Sequence, residues 1–100
     1  MTETHSDEAE AALADEARFI AQLREANLPR PDRRGTTESG EVCMTWLRNG
    51  KIVVSLSLEG DGMYGAAMQR GGSFKACGED GDLNRPLNEE LVAYLRELKP

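Results

Sequence analysis

The dipeptide Asn49-Gly50 constrains the fold of this 100-residue chain more than any other feature of its sequence. Asn-Gly is the preferred pair for a two-residue type I′ turn, because both positions of that turn need a positive φ. Apolar residues alternate with other residues over 41–47 before the turn and over 51–58 after it. This period of two is typical of β-strands, whose successive side chains point to opposite faces. The sequence therefore predicts a β-hairpin with Asn49-Gly50 at its tip.

The turn also sets the register of the two strands. It pairs Trp46 with Val53, and cross-strand partners share one face of a sheet. One predicted face is mainly aliphatic and is expected to be core: Cys43, Thr45, Leu47, Ile52, Val54, Leu56 and Leu58. The opposite face carries Val42, Met44, Trp46, Val53, Ser55 and Ser57. If the turn between the second and third predicted strands has two or four residues, Tyr64, Ala66 and Met68 lie on the Trp46 face. If that turn has three or five residues, they lie on the opposite face.

Helical periodicity precedes and follows the strands. Residues 7–27 predict a helix, because apolar residues recur there at spacings of three and four. Its apolar stripe is Leu13, Ala17, Ile20 and Leu23, with Phe19 on the flank. Asn88 is a good N-cap for a second helix over 89–98.

The remaining segments complete a single domain over residues 1–100. Shorter strands are predicted over 63–69 and 73–77, residues 29–40 are expected to form a polar loop, and residues 1–6 are expected to be disordered. The predicted class is α+β: an N-terminal helix, a four-stranded antiparallel β-meander and a C-terminal helix.

A glycine motif imitates a dinucleotide-binding loop. Gly60-Asp61-Gly62-Met63-Tyr64-Gly65 fits G-x-G-x-x-G, but a phosphate site also needs a helix directly after the motif. Only residues 66–70 separate it from Gly71-Gly72, which is too short for a crossover helix. We therefore interpret the motif as the turn between two strands, with glycines for positive φ.

A second motif imitates a calcium loop. Residues 80–84 read D-x-D-x-N, but the sixth position is Arg85 instead of glycine and the twelfth is Leu91 instead of glutamate. A polar connection into the last helix is the favoured interpretation. An irregular calcium site using Glu79, Asp80 and Asp82 stays open as an alternative.

The chain offers few groups for catalysis. Its single histidine, His5, falls in the segment expected to be disordered, so no Ser-His or Cys-His pair can be built around a structured base. Cys43 and Cys77 fall in predicted strands and form no C-x-x-C motif. We expect no enzyme activity, no metal site and no cofactor.

Charge and hydropathy limit the partners. The net charge of −6 argues against direct binding of nucleic acid. The longest apolar run, 52–58, is far too short to span a membrane, and the N-terminus lacks the features of a signal peptide. We therefore expect a cytoplasmic protein with reduced thiols and no membrane contact.

Two features suggest a protein partner. Arg30, Arg33 and Arg34 form the one basic cluster, a candidate anchor for an acidic partner. The first helix is acidic and could meet a basic surface instead. Its acidic residues are Asp7, Glu8, Glu10, Asp15 and Glu16.

The Trp46 face permits two arrangements. With one helix on each face of the sheet, Trp46 would be buried in a three-layer domain. With both helices on the aliphatic face, Met44, Trp46, Tyr64 and Met68 would form an exposed apolar patch. Tryptophan and tyrosine are common anchors at protein interfaces, so that patch is a candidate binding site.

In its order of elements the chain resembles a loose group of small, uncharacterised bacterial and phage proteins. The matching features are a leading helix ended by Leu28-Pro29-Arg30-Pro31, then Trp46, Gly50, Asp61-Gly62-x-Tyr64-x-Ala66 and a short closing helix. It is also similar in size and acidity to phage-encoded inhibitors such as anti-CRISPR proteins. The resemblance implies a fold and supplies no catalytic residues.

The leading hypothesis is a non-catalytic protein-binding module, such as a phage-derived inhibitor or adaptor that occupies a surface of a host protein. One alternative is a small-ligand or metal-binding domain, or an unusual enzyme, using the loops near Asp61 and Asp80. Another is a structural homodimer that associates through a free edge strand or the Trp46 face.

Overall fold

The computed structural model describes residues 3–76 and 81–98, with side chains from residue 10 onward. The elements are α1 (Glu3–Glu25), β1 (Arg33–Thr36), β2 (Val42–Arg48), β3 (Lys51–Leu58), β4 (Met63–Arg70), β5 (Ser73–Ala76), β6 (Gly81–Asp82) and α2 (Glu89–Leu98). The predicted α+β class is confirmed. The helices begin and end close to the predicted positions, although α1 starts before residue 7. Cys77, the predicted last residue of a strand, lies outside the described residues.

All strands pair antiparallel in one sheet of order β1-β2-β3-β4-β5, and β6 also pairs with β4. The predicted four-stranded meander corresponds to β2–β5. Strand β1 lies within the segment 29–40 that was predicted as a loop. Its four residues, Arg33–Thr36, are all exposed, so the strand is held by backbone pairing to β2 and leaves no apolar pattern in the sequence.

The hairpin between β2 and β3 has the predicted tip. Asn49 and Gly50 both have positive φ, 54° and 79°, and the residues that flank them, Arg48 and Lys51, are paired. The turn chemistry of the Asn-Gly pair is therefore confirmed.

The predicted register fails one residue pair further from the turn. A β-bulge after the Leu47–Ile52 pair makes Trp46 the partner of Val54 instead of Val53. Both Val53 and Val54 are buried, so the extra residue is absorbed without exposing an apolar side chain. A shift of one residue exchanges the two faces of a strand, and the predicted division of β3 is therefore wrong beyond the bulge.

As a result, the Trp46 side of the sheet is the core. Its buried strand residues are Val42, Met44, Trp46, Val54, Leu56, Leu58, Tyr64 and Met68. Both helices pack on this side. Phe19 of α1 lies edge-on to Trp46, with ring centroids 6.3 Å apart, and 5.5 Å from the ring of Tyr64. Tyr94 of α2 donates a hydrogen bond of 2.9 Å to the carbonyl of Gln69 in β4.

Neither predicted arrangement of the helices is correct. They do not sandwich the sheet, and the side they share is the Trp46 side instead of the predicted aliphatic side. The stripe of α1 is also rotated from the prediction: Phe19 is fully buried, whereas Leu13 is 46% exposed and Ala17 is exposed. The molecule is a two-layer domain with helices on one side of the sheet.

Hydrogen bonds at the helix ends explain where each helix stops or starts. Asn27, with φ of 57°, closes α1, and the amide of Leu28 donates to the carbonyl of Leu23 over 2.9 Å. This Schellman geometry ends the helix before Pro29 is reached. Asn88 caps α2 as predicted, because its Oδ1 accepts the amides of Glu90 and Leu91.

The glycine motif is a turn, as predicted. Gly60 and Gly62 have φ of 92° and 79°, and β4 follows at once where a phosphate site would need a helix. A Cβ on Gly60 would lie 2.9 Å from the backbone nitrogen of Ala12, so glycine here lets the turn approach α1. Asp15 completes the contact: its Oδ2 accepts the amide of Gly62 over 2.8 Å, and its side chain is only 6% exposed.

We expect Asp15→Ala to lower the free energy of unfolding by about 1–3 kcal/mol, because it leaves the amide of Gly62 without its charged acceptor. Urea denaturation followed by far-UV circular dichroism measures the change. Glu10→Ala is the matched control, since it removes a carboxylate from an exposed position of the same helix. Equal effects of the two substitutions would show that helix charge, and not the bond to Gly62, sets the stability.

Candidate functional site

The side of the sheet away from the helices is a second face, hereafter the open face. Within the part of the chain that the structure describes, no helix packs on it. The register places these residues there: Arg33, Gly35, Cys43, Thr45, Leu47, Ile52, Ser55, Ser57, Met63, Gly65, Ala67, Gln69, Phe74 and Ala76. These residues are exposed or half-buried.

The centre of the open face is made of small, uncharged side chains. Ser55 and Ser57 of β3 pair with Ala67 and Gly65 of β4. Among the described residues, strands β2–β5 place no charged side chain on this face, although 30% of the chain is charged. Outward faces of antiparallel sheets are usually polar, and this one is polar without being charged over β2–β5.

Larger apolar side chains lie at one end of the open face. Ile52 is 42% exposed and pairs with Leu47, and Phe74 is 50% exposed and pairs with Gln69. Both side chains remain exposed to solvent in the folded chain. They lie on β3 and β5, with β4 between them, and exposed aromatic and aliphatic side chains on one sheet face are candidate anchors for a protein interface.

The two ends of the sheet carry opposite charge. The end with the β2–β3 and β4–β5 turns, the basic end, carries Arg33, Arg48, Lys51 and Arg70. The end with the β1–β2 and β3–β4 turns, the acidic end, carries Glu38, Glu41, Glu59 and Asp61. Asp32 also lies near the basic end, where its Oδ2 accepts the amide of Leu47 over 2.7 Å. Arg48 donates to the carbonyl of Glu97 in α2, and Arg70 lies over the ring of Tyr94. Lys51 pairs with Arg48, so these three basic side chains lie on the helix side of the sheet, and Arg33 is the one of the four on the open face.

A shallow concavity of about 220 Å³ marks the acidic end of the open face. It is lined by Ser57, Glu59, Asp61, Met63, Tyr64 and Gly65. The absence of a side chain on Gly65 and the small hydroxymethyl group of Ser57 leave this space.

The side chains predicted to form an exposed patch are in the core. Met44, Trp46, Tyr64 and Met68 are all buried, and Trp46 is only 1% exposed. The indole Nε1 of Trp46 donates to the carbonyl of Pro29 over 3.0 Å, so its polar atom is also satisfied. The predicted patch is therefore absent, because both helices cover the side of the sheet to which these residues belong.

The three predicted arginines are separated by the fold. Arg34 lies on the helix side of β1 and makes two hydrogen bonds to Glu16, of 2.7 and 2.8 Å. The hydrogen bond to Glu16 raises the pKa of the Arg34 guanidinium. Arg30 lines a separate concavity with Arg24, and Arg33 lies at the margin of the open face. They do not form one cluster.

Two residues of the acidic face predicted on α1 make contacts within the protein. Asp15 is buried against Gly62, and Glu16 is paired with Arg34. Glu10 is exposed, and the side chains of Asp7 and Glu8 lie outside the described residues.

The loops near Asp61 and Asp80 were considered as ligand or metal sites. Where the structure describes them, their carboxylates accept hydrogen bonds from nearby backbone amides. Asp61 Oδ1 accepts the amide of Met63, and Asp82 Oδ1 accepts the amide of Asn84. Glu79 and Asp80 lie outside the described residues. Among the described side chains, no group of three or more His, Cys, Asp or Glu is arranged to hold a metal ion.

Another concavity, of about 520 Å³, lies between α1 and residues 83–87. Gln22 and Arg18 of α1 both donate to the carbonyl of Leu83, at 2.9 and 3.3 Å. These polar groups hold the segment before α2 against α1, which is a structural role.

No protein-family model matches the chain, and neither a curated protein nor a solved structure matches it significantly. Neither helix, over the residues that the structure describes, is both long and apolar enough to span a bilayer. The open face was not predicted from the sequence, because Cys43, Thr45 and Leu47 were expected in the core. The signal that could have found it was the cluster of small residues at Ser55, Ser57, Gly65 and Ala67.

Proposed function

We propose that this protein is a non-catalytic protein-binding module whose binding surface is the open face. The observation that carries the proposal is a sheet face on which, among the described residues, no helix packs and strands β2–β5 place only uncharged side chains, in a chain that is 30% charged. The protein acts by occupying a surface of its partner, as an adaptor or an inhibitor does.

The composition of the open face supports binding to another protein surface. Small side chains in the centre let a partner backbone or sheet approach closely, and Ile52 and Phe74 supply apolar area that is desolvated on contact. Replacing one exposed small side chain by a long charged one therefore blocks contact without changing the core.

We expect Ser55→Arg to abolish partner binding while leaving the fold intact. Ser55 is exposed in the central strand, so an arginine there extends into solvent in the free protein and into the partner in a complex. The measurement is capture of partners on immobilised protein, quantified by mass spectrometry. Circular dichroism and thermal unfolding confirm that the variant is folded.

Ala14→Arg is the matched control. It adds the same charge at an exposed position of α1, on the other side of the molecule. A partner retained by Ala14→Arg and lost at least tenfold with Ser55→Arg supports the proposal. A partner that binds both variants equally, or no partner of any kind including a second copy, contradicts it.

A further inference from the structure

We infer that the outer edge of β1 binds an extended segment of a partner protein, which joins the sheet as a further antiparallel strand. The segment carries apolar side chains at alternate positions and acidic residues at its C-terminal end. This site is separate from the open face, so the inference goes beyond the proposed function and does not depend on it.

Strand β1 lies at one end of the sheet. It pairs with β2, and among the described residues no other strand lies against its outer edge. Thr37 donates to the carbonyl of Glu41 over 2.9 Å, in the same register as the β1–β2 pairs. Antiparallel strands alternate between residues that are bonded to the neighbour and residues that are not. The N–H and C=O groups of Arg34 and Thr36 therefore point outward.

The outer edge of β1 is not covered by its own charged side chains. Proteins often protect a sheet edge by placing charges on it. Arg34 instead makes two hydrogen bonds to Glu16 on the helix side, of 2.7 and 2.8 Å, and Arg33 lies on the open face. All four residues of β1 are exposed. The outward backbone groups can therefore pair with an added strand, which is a common mode of peptide recognition.

An apolar flank of α1 lies beside the same edge. The bonds between Glu16 and Arg34 hold α1 against β1, and Glu16 also lines a concavity of about 310 Å³. Leu13 and Ile20 line it too, and Leu13 is 46% exposed. This flank offers apolar area that the folded chain leaves uncovered.

The register of an added strand directs side chains to this flank. Arg34 and Thr36 pair with the core residues Met44 and Val42, so they lie on the helix side of β1. Cross-strand partners share a face of the sheet. The two segment residues opposite Arg34 and Thr36 therefore also lie on the helix side, beside the flank of α1. Apolar side chains at these two positions bury the exposed surface of Leu13.

Charge at the start of β1 selects an acidic segment. Arg33 begins β1, and Arg30, shortly before it, lines a concavity of about 270 Å³ together with Arg24. Among the described side chains, no carboxylate forms an ion pair with any of these three arginines. Asp32 already accepts a backbone amide of β2 over 2.7 Å. An antiparallel segment ends beside the start of β1, so acids at its C-terminal end meet the arginines and avoid Glu38 at the other end.

Selection of phage-displayed random peptides on the immobilised full chain tests the inference. We expect the enriched peptides to carry two apolar residues separated by one residue, followed by acidic residues. Failure to enrich any such peptide over a blank surface overturns the inference.

Amide hydrogen exchange, followed by NMR, locates an enriched peptide on the protein. We expect the amides of Arg34 and Thr36 to exchange at least about tenfold more slowly when the peptide is bound, whereas the amide of Gly35, which faces β2, changes little. Protection that does not alternate along β1 overturns the inference. Protection of Arg34 and Thr36 that rises with protein concentration in the absence of peptide identifies a second copy as the occupant and also overturns it.

Proline on the outer edge tests the backbone pairing. Thr36→Pro removes an outward N–H that makes no bond to β2, and proline is tolerated at such edge positions. Thr36→Val is the matched control, because it keeps the N–H and a β-branched side chain. We expect Thr36→Pro to weaken peptide binding at least about tenfold and Thr36→Val less than about twofold. Equal affinity of the two variants overturns the inference, and the exchange measurement on the unmodified protein decides it if Thr36→Pro unfolds.

The binding at this edge can be separated from binding at the open face. We expect Leu13→Ser to weaken peptide binding about three- to tenfold, because it removes apolar area beside the edge. Ser55→Arg is expected to leave peptide binding unchanged. A peptide that is lost with Ser55→Arg and retained by Thr36→Pro overturns this inference and supports the open face as the binding surface.

Discussion

Replacing Trp46 with alanine is expected to lower the free energy of unfolding by about 3–5 kcal/mol. The indole is 1% exposed and packs edge-on against Phe19 at a centroid distance of 6.3 Å. Its removal leaves a cavity between α1 and the sheet. It also removes the donor to the carbonyl of Pro29, which is otherwise bonded over 3.0 Å.

Urea denaturation followed by far-UV circular dichroism measures this change, because Trp46 is the only tryptophan and its loss removes the fluorescence signal. In the unmodified protein, the emission of Trp46 should be blue-shifted and protected from soluble quenchers. Trp46→Phe separates the two causes: it keeps an aromatic ring and loses the hydrogen bond, so we expect a smaller loss of stability.

The opposite result would restore the surface interpretation of this residue. If Trp46→Ala unfolded at the same urea concentration as the unmodified protein and lost its binding partner, Trp46 would be an exposed anchor. A substitution in the open face, such as Ser55→Arg, should show the reverse pattern of unchanged stability and lost binding. Comparing the two variants therefore distinguishes the core side of the sheet from the binding side.

The elements that the sequence predicted correctly depend on local chemistry. The Asn49-Gly50 turn needs two positive φ angles, and the Asn88 cap needs one side-chain acceptor beside free amides. Both requirements are met by residues next to each other in the chain. A reader of the sequence can therefore place the hairpin tip and the start of α2 without knowing the tertiary structure.

The division of the strands into faces could not be predicted, because it depends on one bulge. Val53 and Val54 are both apolar and β-branched, so either can oppose Trp46 without a change in the local pattern. Tertiary packing selects Val54, since the helices bury the Trp46 side and demand an apolar partner there. That single choice turned the predicted core residues Cys43 and Thr45 into members of the open face.

Strand β6 could not be predicted for a related reason. Gly81 and Asp82 carry no apolar alternation, and they pair with β4 beside Tyr64 and Met63. The determinant is a ring–backbone contact between residues far apart in the sequence. A Cβ built on Gly81 would overlap the ring of Tyr64, so only glycine allows the strand to approach.

For this reason Gly81→Ala is expected to be the most damaging substitution of a single methyl group in the described part of the sheet. Overpacking commonly costs about 1–3 kcal/mol, and we expect at least that much here, since Tyr64 is fixed on two sides. Its ring lies 5.5 Å from that of Phe19, and its hydroxyl accepts the amide of Asn88 over 2.9 Å. A displaced Tyr64 would disturb both the core and the residue that caps α2.

Gly35→Ala is the matched control for Gly81→Ala, because a Cβ at Gly35 meets no atom within 4 Å and the residue lies in an edge strand. We expect it to change stability by less than about 0.5 kcal/mol. Thermal unfolding of both variants, of Tyr64→Leu alone and of Gly81→Ala combined with Tyr64→Leu measures the coupling. If the smaller side chain at position 64 relieves the loss, the clash with the ring is its cause, whereas strictly additive losses would place the cause in the backbone of β6.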